Sequence, residues 1–214
     1  YLPHHQGKAG AVRTGVNWAL AHTSADFIGF WDADLATPFS ELSAFVAALA
    51  ADASCWAAIG SRWPHLGARV GRSGGRGLAG TVMHTLIRTL ARLPVYDTQC
   101  GAKLFRRDLA ARVFARPFIS RWLFDVELLK RIPLDELRRR VREIPLEVWR
   151  DVPGSKLRLT DMIRSLVDLV RIAREAHPAE LDEKRLTFAV EPGGAFCRFD
   201  GLQGNLSGAS FCKF

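Results

Sequence analysis

Short, wholly apolar runs alternate along this chain with stretches long enough to be amphipathic helices. "FIGFW" after Asp26 and "WAAIGS" at 56–61 carry no charge and no polar alternation. Runs of that length and composition read as strands buried on both faces, the mark of a parallel sheet covered by helices. Between them, "GKAGAVRTGVNWALAHT" (7–23) places Val12, Val16, Ala19 and Leu20 on one helical face. "TPFSELSAFVAALAA" (37–51) reads as a helix with Thr37 as N-cap, Pro38 at the first position and Glu41 in the first turn. Further helices are expected over 78–93, 108–115 (capped by Asp108), 123–132 and 156–176, and strands over 99–107 and 141–149, the last an edge strand because it contains Pro145. The alternation predicts an α/β domain with a mostly parallel sheet flanked by helices. Ligands of such sheets sit beyond the carboxyl ends of the strands.

At 214 residues the chain is long enough for one domain with a sizeable core. No apolar run approaches the roughly 18 residues that span a bilayer. The four cysteines, Cys55, Cys100, Cys197 and Cys212, form no CxxC pair, which excludes a zinc knuckle and favours a reducing compartment. Cys100 reads as a small buried residue. The six histidines show no ligand spacing.

The net charge of +8 is uneven. From Ala53 to Tyr96 there is no acidic residue, while Arg62, Arg69, Arg72, Arg76, Arg88 and Arg92 fall in that stretch. Two readings stand: a solvated basic surface, or a surface for an anionic partner such as a nucleic acid, a phospholipid or a phosphorylated small molecule. "GRGLAG" (75–80) matches a dinucleotide fingerprint in letters, but no apolar strand precedes it, so the context that motif needs is missing. Glycines with Arg72, Ser73 and Arg76 before a helix start still suit a phosphate-binding corner.

The strand at 27–31 runs directly into Asp32 and Asp34. Read as extended chain, residues i and i+2 point to one side, so both carboxylates would face the ligand crevice and repel each other. A divalent cation removes that repulsion, and Mg²⁺ binds through one or two carboxylates plus substrate phosphates. The plainer alternative is a turn in which one carboxylate caps backbone N–H groups and the other is solvated.

Taken together, "GKAGAVRTG", "FWDADLATP", "IGSRW", "DTQCGAKLFRR", "WLFDVELL" and "PGSKLRLTDMIRSLVDLVRI" resemble, in order and spacing, the family 2 glycosyltransferases. The resemblance is to the dolichyl-phosphate β-glucosyltransferase branch and its bacterial polyprenyl-phosphate relatives, over about residues 2–174. It implies a GT-A fold and transfer of a sugar from a nucleotide-sugar, with UDP-glucose as the expected donor, to a polyprenyl or dolichyl phosphate. Asp32 and Asp34 match the family's DxD, which holds Mg²⁺ or Mn²⁺ on the donor diphosphate. Gly7 and Lys8 match a turn near the nucleotide, and Gln99, Lys103 and Arg106 line the donor element. Arg62, with Arg69, Arg72 and Arg76, is assigned to the acceptor phosphate. Asp97 and Asp125 are the catalytic candidates. Asp125 and Glu127 stand two apart on a helix, so one is expected at the site and the other on a solvated face.

The chemistry of the implied reaction suits these residues. A phosphate monoester has its second pKa at about 6 and is largely dianionic at pH 7. Such a nucleophile needs neutralisation and positioning more than a base. Asp97 is therefore read first as a sugar-orienting or electrostatic group and second as a base, with capping of the turn before the next strand as the alternative. Inversion follows from a single in-line displacement.

The helix at 156–176 has an apolar stripe of Leu159, Met162, Ile163, Leu166 and Val170 with arginines elsewhere around it. It can pack on the core or lie in a membrane interface. The expected location is peripheral, on the cytoplasmic face of a membrane, without nucleic acid as partner. The family's opening strand and acidic turn have no counterpart before Tyr1, so the sheet is expected to lack its first strand, to expose an edge and to be weakly active or inactive. Residues 1–176 form the expected glycosyltransferase domain and 177–214 an extension with no assigned role. The alternatives are a mannosyltransferase using GDP-mannose and a non-catalytic fragment that binds anionic lipid or nucleic acid.

Overall fold

The structure, a computed structural model, describes residues 6–63, 69–71, 87, 89–150, 159–175 and 209–213. Among these residues the main sheet has five strands. These are β1 (Phe27–Trp31), β2 (Ala57–Ser61), β4 (Ala102–Arg106), β5 (Val141–Pro145) and β7 (Ala209–Lys213), in the order β5-β2-β4-β1-β7. β2 runs parallel to β5 and β1 parallel to β7, while β4 is antiparallel to both β1 and β2. Four strands thus point one way and the reversed β4 lies between two of them, so the sheet is mixed, with two parallel and two antiparallel pairings, where a mostly parallel one was expected. β3 (Arg69–Gly71) and β6 (Val148–Arg150) pair separately as a parallel two-stranded ribbon.

Two apolar clusters cover the two sheet faces, and period-2 alternation divides the strand residues between them. Ile28 and Phe30 of β1, Ala57 and Ile59 of β2, and Phe105 of β4 join one cluster. Phe27, Trp31, Ala58, Ala102 and Leu104 join the other. This is why the runs are apolar throughout: neither face meets water. The first cluster is closed by α1 (Gly7–His22), which buries Ala9, Val12, Val16 and Ala19, together with α3 (Arg107–Val113) and α4 (Phe124–Lys130). The second is closed by α2 (Leu42–Ala51) through Leu42, Phe45, Val46 and Leu49. α5 (Leu134–Arg140) leads into β5. In α6 (Leu159–Glu175), Leu169 and Ile172 enter the first cluster, and Val167 and Val170 are exposed. Of the expected stripe, Val170 is exposed and Leu166 half-buried, while Ser165, Leu169 and Ile172 are the buried positions; the side chains of Leu159, Met162 and Ile163 lie outside the described residues.

Several local expectations are corrected. Thr37 does not cap α2: a 3-10 turn, Phe39–Glu41, intervenes, and the carbonyl of Thr37 accepts the Trp31 Nε1–H at 2.7 Å. Asp108 lies inside the first turn of α3, whose N-cap is Arg106. The single strand expected at 141–149 is two strands in different sheets. The Leu146 N–H still reaches the Ser61 carbonyl, but the next two N–H groups, of Glu147 and Val148, donate to the buried Glu41 carboxylate at 3.0 Å each. Glu41 thus turns the chain out of the sheet. β5 is an edge strand, as Pro145 suggested. Beside β1 the sheet is extended by β7, which pairs in register from Phe27 with Ala209 to Trp31 with Lys213, so among the described residues the open edge on this side is that of β7. Residues 209–213 satisfy backbone groups that would otherwise template association. Of the helix expected at 78–93, residues 87 and 89–91 are described and helical.

Candidate active site

β1 and β2 end, and β4 begins, at the same end of the sheet, because β4 is antiparallel to both. Asp32 follows β1, Arg62 follows β2, and Asp97, Gln99 and Gly101 precede β4. The first turns of α1 and α4 bring Lys8 and Asp125 to this end.

β1 stops at Trp31 and residues 33–34 form a turn, so Asp32 and Asp34 do not share a side by strand alternation. Asp34 is exposed and its Oδ1 accepts the Ala36 N–H at 3.0 Å, closing a side-chain turn. Leu35 takes φ +53°, and the Ala36 carbonyl accepts the Arg150 N–H at 2.9 Å, tying this turn to the β3–β6 ribbon. Asp32 donates its backbone N–H to the Gly101 carbonyl at 2.8 Å. Its carboxylate lies against the Cα of Gly101, where a Cβ would come within 2.0 Å of Oδ2. Only glycine fits there.

Lys8 sits astride this carboxylate, with Nζ 2.8 Å from Oδ1 and 2.9 Å from Oδ2. Gly7, with φ +70°, begins the helix that presents it. Burial works against the Lys8 ammonium, but Asp125 and Asp32 outweigh it and hold its pKa above the ordinary lysine value. Burial pushes the Asp32 carboxyl above the usual carboxylate range, and Lys8 offsets this only in part.

Deeper in, Lys103 on β4 is fully buried and donates to Asp125 Oδ1 and to the Cys100 carbonyl, each at 2.5 Å. Its ammonium also lies 5.4 Å from the Phe30 ring centroid. The Cys100 thiol is pushed up to about 11 by burial, which makes it an inert packing residue.

On the other side, Arg62 grips Asp97 through Nε to Oδ2 and Nη2 to Oδ1, both at 2.7 Å, and adds its backbone N–H to Oδ2 at 2.9 Å. Burial opposes the Asp97 charge, but Arg62 prevails and holds its pKa below the usual range. The guanidinium also lies 5.6 Å from the Trp149 ring centroid. In the segment between Asp97 and β4, Gln99 Nε2 is buried without a hydrogen-bond partner among the described residues. A buried donor left open at a site is a place for a substrate oxygen.

The fold therefore brings together Gly7, Lys8, Asp32, Asp34, Arg62, Asp97, Gln99, Lys103 and Asp125. Arg69 lies in the ribbon with its backbone opposite Val148, and Arg72 and Arg76 fall outside the described residues. Arg106 is not at the site. It pairs with Phe27 at the far end of β1 and donates to the carbonyls of Cys55, Leu49 and Asp52. Glu127 is not solvated. It is buried, pairs with Arg131 at 2.7 Å and accepts the Ile119 N–H at 2.8 Å. Sequence reasoning missed Glu143 of β5, whose two oxygens accept the N–H groups of Tyr96 (2.8 Å) and Asp97 (2.9 Å). A lone acid inside a short edge strand was the available signal.

The chain is 33% identical over 175 residues to a dolichyl-phosphate β-glucosyltransferase of Trichomonas vaginalis, covering 80% of this chain and 51% of that protein. It is 34% identical over 180 residues to the enzyme of that name from Saccharomyces cerevisiae (78% and 52%) and 34% over 167 residues to the human one (73% and 48%). Over most of its own length this chain is thus a relative of the dolichyl-phosphate β-glucosyltransferases. It spans about half the length of the curated relatives it matches. No family model matches it. The fold resembles glucosyl-3-phosphoglycerate synthase from Mycobacterium tuberculosis in its UDP complex, with a TM-score of 0.54 at 20% identity over 81% of this chain and 57% of that one. The fold is thus of GT-A type.

Proposed function

We propose that this chain carries the glucosyl-transfer chemistry of its family, moving glucose from UDP-glucose to the phosphate of dolichol or a related polyprenol by one inverting, in-line displacement. The observation that carries this reading is the convergence of Asp32, Lys8, the Arg62–Asp97 pair and the Lys103–Asp125 pair at one end of the sheet.

Among the described residues, no group of three or more His, Cys, Asp or Glu side chains is placed to hold a metal ion. The donor set instead suits a cation shared with a diphosphate. Asp32 is a fixed carboxylate whose charge is incompletely offset, and Asp34 stands exposed on the next turn. Mg²⁺ or Mn²⁺ held by Asp32 and Asp34 would offset the negative charge of the leaving nucleoside diphosphate.

The protein's own groups supply positioning. Lys8 is placed to meet a donor phosphate, and Gln99 Nε2 to donate to a sugar oxygen. Asp97, locked by Arg62, orients the sugar and stabilises developing positive charge at its anomeric carbon. The acceptor phosphate, already largely dianionic at pH 7, is neutralised by the arginine-rich segment that includes Arg62, Arg69, Arg72 and Arg76.

No helix among the described residues is long and apolar enough to cross a membrane. On α6, exposed Val167 and Val170 lie among exposed Arg164, Arg171 and Arg174. Ser120 donates to Asp168 at 2.8 Å, which joins this helix to the loop carrying exposed Ile119 and Trp122. An apolar patch rimmed by arginines suits peripheral contact with the anionic cytoplasmic leaflet, where the lipid acceptor lies.

The test is transfer of labelled sugar to dolichyl phosphate from UDP-glucose and from GDP-mannose, with and without chelator, and with Asp34→Ala. Glucosyl lipid that disappears with chelator and in the variant supports the reading. Mannosyl lipid alone would reassign the donor, and transfer indifferent to both chelator and variant would remove the metal from Asp32 and Asp34.

A further inference from the structure

Lys8 and a metal ion cannot use the Asp32 carboxylate in the same way. The ammonium lies within 2.9 Å of both oxygens, across the edge that a cation would coordinate. Mg²⁺ binds carboxylate oxygens at about 2.0–2.1 Å. A dication at that distance and an ammonium on the same two oxygens would repel each other strongly in a partly buried site. One of the two groups must give way.

The carboxylate is the fixed partner. It lies on the Cα of Gly101, and its own backbone is pinned to the Gly101 carbonyl. The lysine is the movable one, a flexible four-carbon stem that is about one-third exposed (34%). It also has somewhere to go, since its ammonium is drawn by Asp125 and Asp34 as well as by Asp32 and lies 5.7 Å from the Phe124 ring centroid. The formal balance around it is three carboxylates, Asp32, Asp34 and Asp125, against two ammoniums, Lys8 and Lys103. That leaves room for one further positive charge, provided Lys8 finds another anion.

We propose that Lys8 is the resident counter-cation of Asp32, that a divalent cation and Lys8 exclude each other there, and that a donor diphosphate opens the site to metal by drawing Lys8 onto its phosphates. The inference rests on the metal–diphosphate reading above and adds an order to it: nucleotide arrives with or before the metal. Its signature is a change of sign. Removing the Lys8 charge strengthens binding of metal alone, whereas loss of an ordinary site residue weakens it.

The experiment is Mn²⁺ binding to the whole chain, followed by the electron-spin signal of free Mn²⁺, with and without UDP. Wild type, Lys8→Gln, Lys8→Met, Lys8→Arg and Asp32→Asn are compared, with thermal melts to confirm folding. Wild type should bind Mn²⁺ weakly alone and at least about tenfold more tightly with UDP, a change of about 1.4 kcal/mol. Lys8→Gln and Lys8→Met should bind Mn²⁺ alone several-fold more tightly than wild type and gain less from UDP. Lys8→Arg should behave like wild type, and Asp32→Asn should lose binding. UDP-enhanced Mn²⁺ binding in wild type with unchanged or weaker Mn²⁺ binding in both neutral variants would overturn the competition and leave the metal site standing. Absence of Mn²⁺ binding in folded wild type with UDP, or full binding in Asp32→Asn, would overturn the site and the competition together.

Discussion

Arg62 holds Asp97 by both carboxylate oxygens and by its own backbone N–H, at 2.7, 2.7 and 2.9 Å. One directly follows β2 and the other precedes β4, so a single ion pair fixes the geometry between two strand ends. Asp97 is almost fully buried, and removal of either partner leaves an unpaired charge. Asp97→Asn should cost about 3 kcal/mol of stability, measured by urea denaturation. The pair also sets an acid limb. Because the folded carboxyl is depressed, its contribution is present above the unfolded value of about 3.9 and is lost as pH falls through the lower folded one. Wild type should lose stability across that window, and Asp97→Asn should lose less.

Glu143 is a positioning residue for the same pair. It accepts the Tyr96 and Asp97 N–H groups, so Glu143→Gln turns an amide N–H₂ toward one of them. The cost should be about 1–3 kcal/mol. Transfer should fall in kcat with the donor KM little changed, because Asp97 is displaced and the nucleotide contacts are not. A change in stability without that kinetic split would make Glu143 purely structural.

Lys103 and Asp125 form a buried pair at 2.5 Å with side-chain exposures of 0% and 3%. Lys103→Met or Asp125→Asn alone should destabilise by about 3–5 kcal/mol. The double variant Lys103→Met with Asp125→Leu should recover much of that loss in denaturant midpoint and none of the transfer activity. Recovery of both would show that the pair only supports the core.

Gly101→Ala puts a methyl group where the Asp32 carboxylate lies. Mn²⁺ affinity in the presence of UDP should fall about 10- to 100-fold, as when the support of a metal ligand is removed. Calorimetry on the folded variant checks this, and unchanged affinity would mean that Asp32 does not bind the metal.

β7 covers the edge of β1, with Phe211 opposite Gly29. Phe211→Pro removes a backbone donor from this strand and should expose the β1 edge. Light scattering should then show concentration-dependent association absent from wild type. A monodisperse variant would show that the pairing does not protect the edge.

The apolar runs determined the strands by themselves, because a segment with no polar face can only be buried on both sides; hence Phe27–Trp31 and Ala57–Ser61 were legible without any partner. The face of α1 was legible for the same reason of periodicity. Asp32, Asp34, Asp97 and Lys8 were legible as candidate site residues through the resemblance their motifs carry. The tertiary structure decided what local pattern could not encode, namely which charge meets which. Arg106 and Lys103 stand three apart on one strand, yet β4 runs antiparallel to β1 and carries them to opposite ends of the sheet. Asp125 and Glu127 share one helical turn, and only their long-range partners, Lys103 and the Ile119 backbone, separate a site residue from a structural one. Glu41, Gly101 and Glu143 act through backbone groups distant in sequence. Burial is written into composition, but the pairing of buried charges is fixed only when strands from far along the chain come to lie side by side.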